Sequence, residues 1–307
     1  MKVQIIEVGP RDGLQNEPAR LSLEQRAWLV TELAKAGLTR IEMGAFVSPK
    51  WVPQMENSGF LFRQLKANPK DFKKVRLSAL VPNAQGMTDA LQAGVTEVAV
   101  FGACSETFSR KNINCSIEES FKRFAEIMKM ARPAKVKVRG YLSTAFGCPY
   151  EGAIPQRRVV QLVGRMLDLG VFEVSVGDTI GVATPKQVKQ LLKSIGRSVG
   201  LKKVAMHFHD TRGTALVNVV ASLDEGVRRF DSSVGGLGGC PYAQGASGNL
   251  ATEDLIYLLT GMGVATGVKL DVLLAMRERL ESFIDRRLPG RMIQAGLPPA
   301  GIHPRLA

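Results

Sequence analysis

Short apolar, β-branched runs alternate along the chain with stretches whose apolar residues recur at helical spacing. Eight runs read as strands: VQIIEVG at 3–9, RIEMGAF at 40–46, VRLSALVP at 75–82, EVAVFGA at 97–103, VKVRGYLSTA at 136–145, FEVSVGD at 172–178, KVAMHFHD at 203–210 and RFDSSVGG at 229–236. Between them, Phe121, Phe124, Ala125 and Met128, and again Val188, Leu191, Leu192 and Ile195, trace one face of a helix. Polar positions supply the start and stop signals. Ser22 with Gln25, and Ser116 with Glu119, read as capping boxes in which each side chain satisfies an orphan backbone N–H. Thr184 before Pro185 reads as an N-cap with proline at the first helical position. Gly37 and Gly94 fall where left-handed helix termination is expected.

Eight strand–helix alternations without a Pro/Gly/Ser-rich linker predict parallel strands, right-handed crossovers and closure into an α/β fold of the (β/α)8 TIM-barrel type. A doubly wound open sheet is the alternative, but no GxGxxG opens a helix after the first run. The barrel is expected over residues 1–266. A short helical C-terminal extension with a Pro-rich tail (LPGRMIQAGLPPAG) is expected over 267–307, as a cap or an oligomer contact.

Composition removes several classes. At 45% apolar and 22% charged residues, the 307-residue chain is too apolar for disorder. It has no apolar run near the ~18 residues that a membrane helix needs. The opening MKVQIIEVGPRDG has neither a signal-peptide nor a transit-peptide pattern, so a cytoplasmic chain is expected. Cys104, Cys115, Cys148 and Cys240 are scattered, without CxxC, and read as thiols and not as a disulfide framework. The net charge of +13 admits nucleic acid, an anionic membrane surface or a phosphate-bearing ligand. No basic block is present, and 6% aromatics leaves little surface for base stacking. No nucleic-acid or membrane partner is therefore expected.

In such a barrel the reactive groups belong at the carboxyl ends of the strands, where the βα loops converge. His207 and His209, two of only three histidines, are spaced so that both rings leave one face of a strand. Two imidazoles at a barrel mouth suit a divalent metal; the bland alternative is two buried histidines satisfied by backbone or by Asp210. Adding the Asp12 carboxylate and an amide oxygen, which Asn249 can supply, favours Mg2+ or Mn2+ over zinc. Arg11 offers fixed donors to a developing oxyanion. Glu42 and Asp178 are strand carboxylates that orient Arg11, hydrogen-bond a substrate, or form structural ion pairs. Cys240 lies within the glycine-dense stretch GGLGGCPYAQGASGNLATED, which suits a lid whose thiol serves as acid, base or nucleophile, or an incidental cysteine in a flexible loop. SRKN at 109–112 places Arg110 and Lys111 in a loop after the fourth strand, facing an anionic ligand tail or solvent.

GPRDGLQNE, FVSPKWVPQM, KNINCSIEES, GCPYEG, GDTIGVATP and HFHDTRG occur in this order and, with the glycine–cysteine stretch, resemble the hydroxymethylglutaryl-CoA lyases over residues 3–262. RDG and HxH alone are shared with a wider barrel superfamily that includes isopropylmalate and homocitrate synthases. The resemblance implies retro-Claisen cleavage of 3-hydroxy-3-methylglutaryl-CoA to acetyl-CoA and acetoacetate, the chemistry of leucine degradation and ketone-body formation. It implies Asp12, His207, His209 and Asn249 as metal ligands and Arg11, Glu42, Asp178 and Cys240 as catalytic residues, with Glu253 a further candidate. It also implies Arg11, Gln15, Lys111 and Ser143 as contacts to an acyl-CoA substrate, and a homodimer. Two positions depart from the family: Arg212 replaces a usually uncharged residue, and Thr144 stands where cysteine is frequent. The C-terminal cysteine of the animal enzymes is absent. The competing readings are a Claisen-type synthase, a lyase for a longer 3-hydroxy-3-alkyl acyl-CoA, and a non-catalytic basic barrel.

Overall fold

Each strand pairs in parallel with the next, and the eighth with the first, in a computed structural model that describes residues 1–239 and 248–299. The strands are β1 (Gln4–Glu7), β2 (Arg40–Ala45), β3 (Arg76–Leu80), β4 (Glu97–Ala103), β5 (Lys137–Ser143), β6 (Glu173–Asp178), β7 (Val204–Phe208) and β8 (Arg229–Ser232). All eight expected strands are present and the barrel is closed. Every residue of β2 and β6 is buried, as for strands covered by helices on one side and barrel filling on the other.

The local signals act as expected. Ser22 Oγ accepts from the Gln25 N–H at 3.2 Å while Gln25 Oε1 accepts from the Ser22 N–H at 2.7 Å. Ser116 and Glu119 repeat the exchange at 3.1 and 2.7 Å. Pro185 opens the helix Pro185–Val199, and Gln187 Oε1 accepts from the Thr184 N–H at 3.0 Å. Gly37 ends the helix Leu23–Lys35 with φ +97°, and a Cβ there would lie 2.3 Å from the Gly267 carbonyl oxygen. One expectation fails. Arg110 and Lys111 are not in a loop but in the last turn of a helix, Glu106–Ile113, because Ser105 Oγ caps it by accepting from the Phe108 N–H at 3.1 Å.

The floor of the barrel, at the amino ends of the strands, is filled by charge. Arg40 donates to both oxygens of Glu173 at 3.0 Å and to Glu97 at 3.1 Å; Arg139 donates to Glu173 at 2.7 Å and to Asp231 at 2.7 Å. All five side chains are buried.

Beyond the barrel helices, Leu270–Ala275, Arg277–Ile284 and Arg291–Ala295 lead a strap back to the carboxyl face. Arg286 Nε donates to Glu17 Oε2 at 2.8 Å, and the Gly290 N–H donates to the Gly235 carbonyl at 2.9 Å. The Asp254 carboxylate accepts from the Arg291 and Met292 N–H groups at 3.0 and 2.6 Å. Leu288 is buried against Gly235, so the strap contributes to the same hydrophobic core as the barrel.

Candidate active site

The chain leaving β1 wraps one carbonyl. Val8 O accepts from the N–H groups of Arg11, Asp12 and Gly13 at 3.1, 2.7 and 3.3 Å, in a π-turn spanning Gly9–Gly13. Such turns recur at functional sites because they redirect side chains. Here Arg11 and Asp12 are turned toward β2 and β7. The turn needs its glycine at position 13, where a Cβ would approach Leu237 Cβ to 2.7 Å.

Across the mouth, one potential ligand atom from each of Asp12, His207 and His209 lies within 4.8 Å of the others. His207 Nε2 is 4.0 Å from Asp12 Oδ2, and the two imidazole centroids are 5.2 Å apart. A bridge between His209 and Asn249 brings the fourth residue in. Asn249 Nδ2 donates to Asp12 Oδ2 at 2.9 Å and to Leu237 O at 3.1 Å, which leaves Oδ1 buried and unbonded. His207 Nδ1 and His209 Nδ1 are likewise buried without a hydrogen bond. An unmet buried polar atom costs about 1–3 kcal/mol. His207 Nδ1 faces Asp231 at 3.4 Å, whereas its Nε2, with the His209 ring and Asn249 Oδ1, stands beside the Asp12 carboxylate, a donor set suited to a divalent cation.

Protonation agrees with that use. Burial, and then the charge of His207, pull His209 down to about 3, so its ring is neutral and its lone pair available. Burial also disfavours charge on His207, but Asp231 and Asp12 outweigh it and raise the ring above its usual value. Asp12 is pushed up by burial and more strongly down by Arg11 and both histidines, ending below the usual carboxylate range.

Arg11 is 2% exposed and held from two sides. Nε is bonded to Glu42 Oε1, and Nη1 donates to Asp12 Oδ1 at 2.8 Å. Glu42 Oε2 in turn accepts from the Tyr141 hydroxyl at 2.8 Å. Among the described residues Nη2 of Arg11 carries no such bond, which leaves one donor edge for a ligand. Burial opposes the charge of Arg11, yet Glu42 and Asp12 overcome it and keep the guanidinium protonated.

The remaining predicted residues are spread around this centre. Asp178 accepts from the Val182 and Ala183 N–H groups at 3.0 and 2.9 Å, so both oxygens hold the loop after β6. Burial nevertheless raises its pKa. Ser143 closes β5, buried. The next residue, Thr144, has φ +58°, costly for a β-branched residue, and is fixed by its N–H donating to Thr179 Oγ1 at 2.8 Å. Gln15 is half-buried in the turn after Asp12, and Lys111 is exposed with Nζ 4.1 Å above the Tyr150 ring. Glu253 is buried behind β8, with Oε2 accepting from the Gly235 N–H at 2.8 Å and Oε1 unbonded; burial pushes it up to about 8. Arg212 donates to the carbonyls of Ile180 and Gly181 at 2.7 and 3.2 Å, so this departure from the family ties down the β6 loop. Cys240 lies outside the described residues.

Sequence reasoning missed Asp231, Tyr141 and Glu7. Glu7 Oε1 accepts from the Gly9 and Val234 N–H groups at 2.8 and 2.9 Å; burial pushes its carboxyl up to about 7 despite these donors. Asp231 is 1% exposed beside His207. Burial would raise it, but Arg139 and His207 hold it well below the usual carboxylate range. Glu7 carried a signal, a carboxylate closing the apolar run of β1, whereas Asp231 and Tyr141 lie in strands that already hold other polar residues and do not stand out.

Comparison with known proteins agrees with this geometry. The HMGL-like family model matches residues 2–280. A hydroxymethylglutaryl-CoA lyase of Pseudomonas mevalonii is 52% identical over 280 residues, 91% of this chain and 92% of its own. A 3-hydroxy-3-isohexenylglutaryl-CoA/hydroxymethylglutaryl-CoA lyase of Pseudomonas aeruginosa is 47% identical over 96% of this chain and 97% of its own. Among solved structures, a hydroxymethylglutaryl-CoA lyase from Pseudomonas aeruginosa superposes with TM-score 0.92 at 47% identity, covering 96% of this chain and 97% of its own. An Acinetobacter baumannii HMG-CoA lyase in complex with coenzyme A and 3-methylmalate gives TM-score 0.91 at 36% identity, covering 99% and 97%. A barrel closed at β8–β1, an arginine–aspartate turn after β1 and a histidine pair at the carboxyl end of β7 thus go together with similarity over nearly the whole length, and the chain belongs to the HMGL-like family.

Proposed function

We propose that this chain cleaves 3-hydroxy-3-methylglutaryl-CoA to acetyl-CoA and acetoacetate. The observation that carries the reading is the joint placement of Arg11 and the Asp12–His207–His209 cluster, with Arg11 Nη1 bonded to Asp12 at 2.8 Å. Similarity to the lyases over nearly the whole chain supports it.

The reaction removes the C3 hydroxyl proton, breaks the C2–C3 bond and leaves the bonding pair on the thioester as an enolate. The C3 fragment leaves as acetoacetate, and a proton delivered to C2 completes acetyl-CoA. Asp12, His207, His209 and Asn249 would hold Mg2+ or Mn2+, which would supply Lewis acidity to ease loss of the hydroxyl proton. Arg11 is the oxyanion donor: Glu42 and Asp12 take two of its nitrogens, which fixes the direction of the third toward the thioester oxygen. Tyr141 keeps Glu42 in register with Arg11 through its 2.8 Å bond. Cys240, carried on the glycine-dense stretch after β8, delivers the proton to C2. Asp178, Glu253, Ser143, Gln15 and Lys111 complete the set: the first two shape the loops after β6 and β8, and the last three meet the acyl-CoA.

The test is a coupled assay of acetoacetate production on EDTA-stripped protein, with and without Mg2+ or Mn2+. Metal-dependent acetoacetate is the expected result. A folded protein inert with both ions overturns the reading. A second substrate arm is warranted by the Pseudomonas aeruginosa relative named for an isohexenyl substrate. A longer 3-hydroxy-3-alkylglutaryl-CoA cleaved with higher kcat/KM than the methyl compound would reassign the acyl chain. A homodimer belongs to the same reading and is tested by light scattering. A cytoplasmic location belongs to it too.

A further inference from the structure

Beneath the metal-ligand cluster stands a column of charge with no assigned part in the chemistry. His207 on β7 and Asp231 on β8 are register partners across parallel strands, so their side chains stand side by side inside the barrel. Asp231 Oδ2 lies 3.4 Å from His207 Nδ1, while Nε2 at the other edge of the ring faces Asp12 Oδ2 at 4.0 Å. Asp231 cannot swing away. Its Oδ1 accepts from Arg139 Nη2 at 2.7 Å and its Oδ2 from the Ser175 hydroxyl at 2.7 Å. Arg139 is itself clamped by Glu173 at 2.7 Å, and Glu173 by Arg40 at 3.0 Å. Asp231, Ser175, Arg139, Glu173 and Arg40 are almost fully buried.

We infer that Asp231 is a positioning residue for the metal site: it selects the Nδ1–H tautomer of His207 and so leaves the Nε2 lone pair facing Asp12. This inference rests on the reading of Asp12, His207, His209 and Asn249 as a cation site. The physical reason is local. A carboxylate with no proton of its own can only accept, so the ring nitrogen it faces is favoured as N–H, and Asp231 at 3.4 Å from Nδ1 outweighs Asp12 at 4.0 Å from Nε2. Acceptors behind a ligating imidazole commonly fix the tautomer and raise ligand basicity, and their loss weakens metal affinity by about 10–100-fold. The 3.4 Å separation is longer than the ~2.9 Å of a formed N–H···O bond, so the contact has room to shorten. The rest of the column holds Asp231 rigid, which makes the ring and not the carboxylate the part that adjusts.

Asp231→Asn is the informative change. Its carbonyl can still accept from Arg139 Nη2, while its NH2, replacing the Oδ2 that also takes Arg139 Nη1 at 3.3 Å, would donate to Nδ1 and force the proton to Nε2. Two measurements on the full-length protein test the idea. The first uses metal-free wild type labelled with 15N-histidine, at a pH where the rings are neutral; three histidines make the long-range 1H–15N spectrum tractable. His207 is expected as the Nδ1–H tautomer, and an Nε2–H ring overturns the inference. The second is Mn2+ binding followed by EPR for wild type, Asp231→Asn, His207→Ala and the double variant. Asp231→Asn is expected to weaken Mn2+ by about 10–100-fold and to have no further effect once His207 is alanine. Unchanged affinity in folded Asp231→Asn, or an equal loss in both backgrounds, overturns it. If Asp231→Asn does not fold, the wild-type tautomer alone decides. Wild type that binds no Mn2+ refutes the cation site itself, an outcome separate from either of these.

Discussion

The two ends of this barrel bury the same kinds of side chain and use them differently. On the floor, Glu173 is shared by Arg40, Arg139 and Arg229, the last at 3.1 Å, and Glu97 by Arg40 and Arg76. Charge there is neutralised by charge: Arg40 Nε and Glu97 Oε2 lack a hydrogen bond, but Glu97 Oε2 still lies 3.6 Å from the Arg76 guanidinium. At the mouth, Arg11 and Asp12 are paired as well, but Asn249 Oδ1 and His209 Nδ1 are left unbonded next to them. The difference teaches that buried ion pairs do not themselves mark a site. Unspent lone pairs converging beside them do.

The sharpest way to break this contrast is at the mouth. Arg11→Gln is expected to lower kcat by roughly 10²–10³, the usual loss for one oxyanion donor. Near-normal turnover would reduce Arg11 to another structural pair, equivalent to the floor. Next, His209→Ala removes one of the ligands and should weaken Mn2+ in calorimetry by more than about 100-fold, beyond the effect of an outer partner. Retained affinity would take His209 out of the ligand set.

The floor should respond in the opposite sense. Arg40→Met strips a counter-charge from both Glu97 and Glu173 and should cost roughly 3 kcal/mol in urea unfolding. Because Arg40 reaches His207 only through Glu173, Arg139 and Asp231, any loss of Mn2+ affinity should be smaller than the loss expected for Asp231→Asn. A large loss of metal affinity would show that the two ends are not separable.

The smallest effect is a pH slope. Glu253 titrates near 8 in the fold against an ordinary 4.5, and Glu7 near 7, both raised by burial. The folded state therefore holds protons that the unfolded chain releases. Stability from these groups is full below about 4.5 and is lost as pH rises toward 7 and 8. Wild-type Tm should fall across that window, and Glu253→Gln, uncharged throughout, should flatten its upper part. Parallel curves for the two proteins would remove Glu253 as the cause.

Legibility in the sequence followed range of interaction. The barrel was readable because each strand and cap is written within a few residues: Ser116 with Glu119, Thr184 with Pro185. The histidine pair was readable because spacing of two fixes a shared face. Asp231 was not, since its meaning depends on lying across from His207 and receiving Arg139, 92 positions away in the chain. Glu42 was found, but its alternatives closed only when Arg11 and Tyr141 were seen on its two oxygens. Asp178 illustrates a reading the sequence did not offer: its carboxylate is occupied with the backbone of its own loop. The helix carrying Arg110 and Lys111 was overlooked because its cap, Ser105, follows β4 almost directly.

A barrel made from a linear chain always has a seam where last strand meets first, here the four register pairs of β8 with β1. The strap with Arg286, Leu288 and Gly290 works across that seam like a buckle, gripping Glu17 on the β1 side and Gly235 on the β8 side. Mechanical load applied at the carboxyl end therefore reaches the mouth of the barrel before it reaches the seam. A tether or fusion partner attached there pulls on the rim of the site, whereas one attached at the amino end pulls on the floor, where the Val3 N–H is bonded to Ala265 O at 2.9 Å.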